Sequence, residues 1–353
     1  GFTLQNDINL TLGTRSLILS GLLDLSEHSL NLQTIDGDFT FAYEYSLNGT
    51  LIMGQDLTIN GNLTTYAAID LAGHTLNVNG VLTFYNDINL NGGTLNVTGD
   101  VYHQDERFEL NGGTANVDGS YYLGTDSGSW HYAYMYMTHP DDVLRIAGNF
   151  TTASAHWWNN AFSAGTMYIG GNFRQIVTDE KDNFNATGTH KVVFNGTGMQ
   201  TIEFDSYSSG FNIVEFVNPN IELKGTQLRG FVLQDDIKLT LSTDALEISG
   251  TMDLNGHSLG ISQIDGNFLL NGHLILGAND LTVHGNLVLN GSLNLMGRTL
   301  TINGNLYHQD GSLKIRGGKL IVNGNYYLAG EGSSFVPGAE SCNYSYGLLS
   351  MLS

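Results

Sequence analysis

The chain has 353 residues, with 45 glycines, three prolines and one cysteine, and its 34 acidic residues against 13 Lys and Arg give a net charge of −21. That balance argues against nucleic acid or an anionic membrane surface as partner, because both are held by basic patches, and the lone Cys342 excludes an internal disulfide. Hydrophobic residues reach 41% and charged residues only 13%, too apolar and too weakly charged for a disordered acidic chain.

No apolar run reaches the ~18 residues of a membrane span, so no membrane insertion is expected in this segment. The opening GFTLQNDINL lacks a basic segment and an apolar core, which puts any export signal outside this window. Taken in chain order, residues 4–39 are short alternating segments that return as residues 233–268, with 20 of 36 positions identical at an offset of 229.

Regular units follow. Gly61, Gly80, Gly99 and Gly119 sit in INGNL, VNGVL, VTGDV and VDGSY at spacings of 19, 19 and 20. Such a period, made of short alternating strands and Asn-Gly or Asp-Gly turns, predicts a stacked β-solenoid in which each coil supplies the wall its neighbour lacks. Residues 90–109 read as one coil: an Asn-Gly-Gly turn, a strand over 94–97, the Gly99 corner, a second strand through Val101 and a loop back to Leu110. Period-2 alternation turns Leu95/Val97, Leu76/Val78, Leu57/Ile59, Leu300/Ile302 and Leu320/Val322 inward as aliphatic ladders. Asn60, Asn79, Asn303 and Asn323 precede the corner glycine and read as corner residues that adopt left-handed geometry or bond neighbouring backbone.

Residues 120–232 keep the corner in LRIAGNF and MYIGGNF, but the glycine spacing stretches to 29 between Gly119 and Gly148 and to 23 between Gly148 and Gly171. These are expected to be coils whose aromatic loops, SWHYAYMYMTHPDD and SAHWWNN, are pushed out of the stack. In the last third Gly266, Gly285, Gly304 and Gly324 repeat the spacings 19, 19 and 20, and YHQD at 102–105 returns at 307–310 with the offset fallen to 205, one coil fewer. The expectation is therefore an all-β chain, a single continuous parallel β-solenoid with coils of about 20 residues, right-handed by the usual crossover preference. It divides into regular coils at 1–119, irregular coils at 120–232 and a truncated second long repeat at 233–353, which points to a piece of a longer polypeptide or to ends covered by neighbouring subunits.

Catalytic chemistry in a β-helix needs converging carboxylates, or a Ca²⁺ cluster beside a basic residue. Asp36, Asp100, Asp118 and Asp265 are turn residues, and the dense acidic groups are Asp141 with Asp142 and Asp179, Glu180 and Asp182. They read as solvated loop carboxylates, with a weak Ca²⁺ site as the alternative, so no catalytic residue and no cofactor is assigned. His103 and His308, repeated in the two YHQD segments, read as strand-edge residues. Thr58, Thr75, Thr94 and Thr114 fall near, but not at, one step of the coil, as an ice-binding rank would require. Trp130, Tyr132, Tyr134 and Tyr136 alternate and share one face if extended, and Trp157 and Trp158 lie in the next loop. Such residues pack on their own wall or form a contact platform for sugar rings or a protein partner.

The segment ATGTHKVVFNGTGMQTIEF, followed by FNIVEFVN, and the LNGGTLNVTGD-like units resemble large repeat-containing extracellular proteins of bacteria, especially of the Gram-positive, clostridial kind. The resemblance implies a secreted or cell-surface β-solenoid without an assigned enzymatic activity and transfers no catalytic residue. The expected function is a structural building block of an extracellular fibre, stalk or surface layer, self-associating through solenoid ends and lateral aromatic loops with copies of itself or further repeats. The alternative is an adhesin presenting those loops to glycans.

Overall fold

A computed structural model describes residues 34–42, 50–124, 132–155, 161–179, 181–206, 208–218, 220–224, 231–233, 263–264 and 266–328, with strand backbone at 2–3, 8–9, 16–20, 23–24, 30–31, 227–229, 238–241, 246–249, 251–253, 334–336 and 349–351. Among the described residues every regular element is a β-strand. The chain divides into two compact units, Gly1–Val193 and Phe194–Ser353, and each is a stack of parallel strands with about 20 residues per coil.

In the first unit a coil has three sides. The first sheet stacks Leu57–Ile59, Thr75–Val78, Thr94–Val97, Thr114–Val117, Val143–Ile146 and Thr166–Ile169. The second stacks Asp38–Ala42, Leu63–Thr65, Leu82–Phe84, Val101–His103, Tyr121–Leu123, Phe150–Thr152 and Phe173–Gln175. The third stacks Thr50–Ile52, Ala68–Asp70, Ile88–Asn89, Glu106–Glu109 and Ala133–Tyr136. In the second unit Phe268–Leu270, Leu287–Leu289, Leu306–His308 and Tyr326–Leu328 form one such ladder, and Leu281–Val283, Thr299–Ile302 and Lys319–Val322 another.

Alternation buries one row of each strand. Leu76, Val78, Leu95, Val97, Leu300 and Ile302 are buried as the pattern requires, while Leu57, Leu320 and Val322 are only half-buried. Leu76 pairs with Leu95 and Val78 with Val97 in register, so aliphatic side chains meet their own kind on these neighbouring coils. Each fully buried Leu, Val or Phe contributes about 1.5–3 kcal/mol. Phe84, Phe108, Tyr121, Phe150 and Phe173 extend the interior as an aromatic column.

The predicted glycine edge is present. Gly99 N donates to Gly80 O at 2.9 Å, Gly119 N to Gly99 O at 3.2 Å and Gly148 N to Gly119 O at 2.9 Å. Close approach, not backbone conformation, selects glycine here: a Cβ on Gly99 would sit 2.6 Å from the Gly80 carbonyl oxygen. Neither left-handed geometry nor backbone bonding explains the asparagine beside it. Asn79 Nδ2 donates to Asn60 Oδ1 at 2.8 Å, and Asn323 Nδ2 to Asn303 Oδ1 at 2.9 Å, a side-chain ladder along the edge. Left-handed geometry belongs to the other corner, where Asn91 (φ 45) and Gly92 (φ 78) form a turn closed by Gly93 N to Leu90 O at 2.7 Å, the type I′ pattern.

Three further expectations change. The expected loop back from Val101 to Leu110 contains the strand Glu106–Glu109, because Phe108 alternates into the core between two outward residues. Thr75, Thr94 and Thr114 share one step of the first sheet, whereas Thr58 pairs with Asn77. The segment 129–142 does not wholly leave the stack: Ala133–Tyr136 is a third-sheet strand paired with Glu106–Glu109. Most of the extra length of this coil falls between Leu123 and Ala133, with a smaller part between Tyr136 and Val143, and residues 125–131 lie outside the described residues.

Candidate functional site

The alternation in AYMY decides where the predicted aromatic surface lies. Ala133 and Met135 are buried, and Tyr134 and Tyr136 are turned outward and half-buried. Register places Tyr134 beside Arg107 and Tyr136 beside Glu109. The two tyrosine rings are parallel within 9° at 6.5 Å. Tyr132 is tied to the same corner, since its N–H donates to Asp105 Oδ1 at 2.8 Å.

The surface is acidic. Arg107 Nη1 lies 3.9 Å from Glu109 Oε1, with both side chains partly exposed. Burial first, and then Asp87 and Asp105, push the Glu106 carboxyl above its usual range against the opposing pull of Arg107. Burial also raises the Tyr134 phenol, followed by the charge of Glu106. The arrangement offers phenol hydroxyls and carboxylates around one guanidinium, a set suited to hydrogen-bonding a polar surface. Trp130, Trp157 and Trp158 lie outside the described residues.

The acidic groups do not behave as solvated loops throughout. Asp142 is buried, with Oδ1 accepting Gly112 N–H at 2.7 Å and Oδ2 accepting His139 N–H at 2.8 Å; it closes a corner between coils. Asp141 is exposed beside His139, Asp179 is exposed and Asp182 half-buried, and Glu180 lies outside the described residues. Among the described residues no group of three or more His, Cys, Asp or Glu is placed to hold a metal.

His103 and His308 are not edge residues. Both occupy the last inward position of a strand and are fully buried. His103 Nε2 faces the Glu106 carbonyl at 2.7 Å and Nδ1 faces the Tyr121 hydroxyl at 3.1 Å, while its ring stacks on Phe84 at 4.2 Å. His308 repeats this with Gly311 O at 3.3 Å and Tyr326 Oη at 2.8 Å. Burial lowers the His103 pKa to about 3, so the ring is neutral and serves the fold.

Sequence reading missed three outward tyrosine pairs: Tyr66 with Tyr85, Tyr102 with Tyr122 and Tyr307 with Tyr327, with parallel rings at 4.6, 5.0 and 5.0 Å. Their signal was present, since each pair is separated by one coil period and the last two pairs occupy equivalent places in the long repeat. Comparisons with protein-family models, with curated proteins and with solved structures found no match.

Proposed function

We propose that the chain is a non-enzymatic structural building block of an extracellular fibre, stalk or surface layer, bacterial in origin, that associates with copies of itself or with further repeats. The observation that carries this reading is the ladder architecture: coils joined in register by backbone, asparagine and aliphatic rows. Strand edges in such a stack accept another coil without rearranging the interior. The surface of outward Tyr134 and Tyr136 with the adjoining Tyr132 would supply lateral contact between copies, joined by Trp130, Trp157 and Trp158. No cofactor is part of this reading, and any Ca²⁺ would be held loosely at surface carboxylates.

Electron microscopy of the native cell surface, with antibody against this chain, tests it. Labelled fibres or sheets are expected; label only on dispersed monomers, beside fibres of another protein, overturns it. The second reading, an adhesin for glycans, draws on the same half-exposed Tyr134 and Tyr136. Glycan-array binding lost in a folded Tyr134→Ala/Tyr136→Ala variant would favour it.

A further inference from the structure

We propose that the stacked tyrosine pairs on adjacent coils are oxidative cross-linking sites, and that Tyr102–Tyr122 is the most reactive. The argument begins with the absence of other staples: the one cysteine leaves no internal disulfide, yet each pair joins neighbouring coils where a covalent link would close a loop of about one coil. The rings of Tyr102 and Tyr122 are parallel within 9° at 5.0 Å, those of Tyr307 and Tyr327 within 8° at 5.0 Å, and those of Tyr66 and Tyr85 within 6° at 4.6 Å. All six side chains are partly exposed, Tyr66 the most at 42%, so an external oxidant reaches them. The pairing is fixed by strand register, with Tyr102 opposite Tyr122 and Tyr307 opposite Tyr327.

The chemistry needs a one-electron oxidant of the peroxide-driven kind. Each phenol gives up one electron and its hydroxyl proton. The two phenoxyl radicals then join by one carbon–carbon bond between positions ortho to oxygen, and the ortho hydrogens move to the oxygens to restore both phenols. The pair loses two electrons and two protons in all, and one hydrogen peroxide is reduced to two waters.

The two long repeats differ at the group that receives the proton. Burial and then the neighbouring Asp100 carboxylate raise the Tyr102 phenol, and that carboxylate is a base that can take the proton as the electron leaves. At the equivalent place Asn305 Nδ2 donates to Tyr307 Oη at 3.1 Å, and Asn325 Nδ2 to Tyr327 Oη at 3.0 Å. An amide donor cannot accept a proton and holds the phenol in its reduced form. Two positions thus separate a reactive pair from a protected one on nearly the same scaffold: Ser120 against Asn325 and, at the group that takes the proton, Asp100 against Asn305. The exchange is structurally neutral, because Asp100 Oδ1 accepts Ser120 N–H at 2.7 Å just as Asn305 Oδ1 accepts Asn325 N–H at 2.9 Å. The inference holds whether or not the chain builds fibres.

The test treats the folded full chain with a peroxidase and limiting hydrogen peroxide, isolates monomer and maps cross-linked peptides by mass spectrometry. A Tyr102–Tyr122 link that has lost two hydrogens is expected, in several-fold excess over Tyr307–Tyr327. Asp100→Asn should lower it toward the level of the second pair, and Asn305→Asp should raise the second pair. Cross-links scattered over unstacked tyrosines, links only between molecules, or the same pattern from urea-unfolded chain would overturn the proposal. Equal yields at the two pairs, unmoved by Asp100→Asn, would overturn the role given to Asp100.

Discussion

The Nε2 atom of His103 lies 2.7 Å from the carbonyl oxygen of Glu106, and a left-handed backbone at Glu106 (φ 58) turns that carbonyl toward the ring. A carbonyl only accepts, so Nε2 carries the hydrogen and Nδ1 accepts from the Tyr121 hydroxyl. In the second long repeat the same position is Gly311, at φ 72. Glutamate therefore occupies a glycine site.

Glu106→Gly should stabilise the first unit by about 1 kcal/mol, the cost of holding a non-glycine residue in the left-handed region. The reverse change, Gly311→Glu, should be strongly destabilising, because a Cβ there would run into the Gly291 carbonyl. Urea unfolding of the two variants checks both signs, and equal effects of the two changes would contradict this account.

Two glycines of one coil separate close approach from backbone strain. Gly99→Ala forces a Cβ against the Gly80 carbonyl at 2.6 Å, while Gly92→Ala meets nothing within 4 Å but must hold φ 78. The first should cost at least about 2 kcal/mol and spread to the neighbouring coils; the second should cost about 1 kcal/mol and stay local. Hydrogen exchange at the amides of the first sheet distinguishes the two outcomes.

The coil itself was legible because glycine spacing and period-2 alternation report properties a single strand already has. Inward Leu95 and Val97 and outward Tyr134 and Tyr136 follow from alternation alone. The third side of the coil was not legible: Glu106–Glu109 carries one apolar residue, Phe108, in a charged setting, which reads as a loop until the neighbouring Ala133–Tyr136 supplies its partner. Burial of His103, His308 and Asp142 was hidden for a related reason. Their partners are a tyrosine one coil away for each histidine and, for Asp142, the Gly112 amide 30 residues earlier, and polar residues read singly suggest solvent. The tyrosine pairs were missed because single strands were read for faces, whereas a stack pairs residue i with residue i plus one coil.

The asparagine ladder on the first sheet yields a third prediction. Asn96 Nδ2 donates to Asn77 Oδ1 and Asn116 Nδ2 to Asn96 Oδ1, both at 2.8 Å. Asn96→Ala removes both bonds and should cost about 1–2 kcal/mol. Asn96→Thr should cost clearly less, since Thr301 fills the equivalent place of Thr299–Ile302 and Thr58 already accepts from Asn77 at 3.2 Å. Thermal unfolding of the pair checks the order.

Acid should weaken the first unit through its buried histidines. His103 and His190 both have pKa values lowered to about 3 by burial, against about 6.5 in an unfolded chain. His103 is enclosed by Phe84, Phe108, Tyr121 and the Glu106 carbonyl. His190 is enclosed by Phe162 and Phe184, and its ring nitrogens have no hydrogen-bond partner among the described residues. Between those two pH values the unfolded chain binds protons that the folded chain refuses. Stability is therefore complete above pH ~6.5 and falls as the pH drops toward ~3, by about 1.4 kcal/mol per unit for each such histidine. His190→Leu removes one of the two, fills the phenylalanine cage with apolar atoms and should raise stability at neutral pH as well as flatten the acid limb. Chemical denaturation from pH 7 to 4 measures both; an acid limb as steep in His190→Leu as in the parent would show that His190 takes up its proton without unfolding.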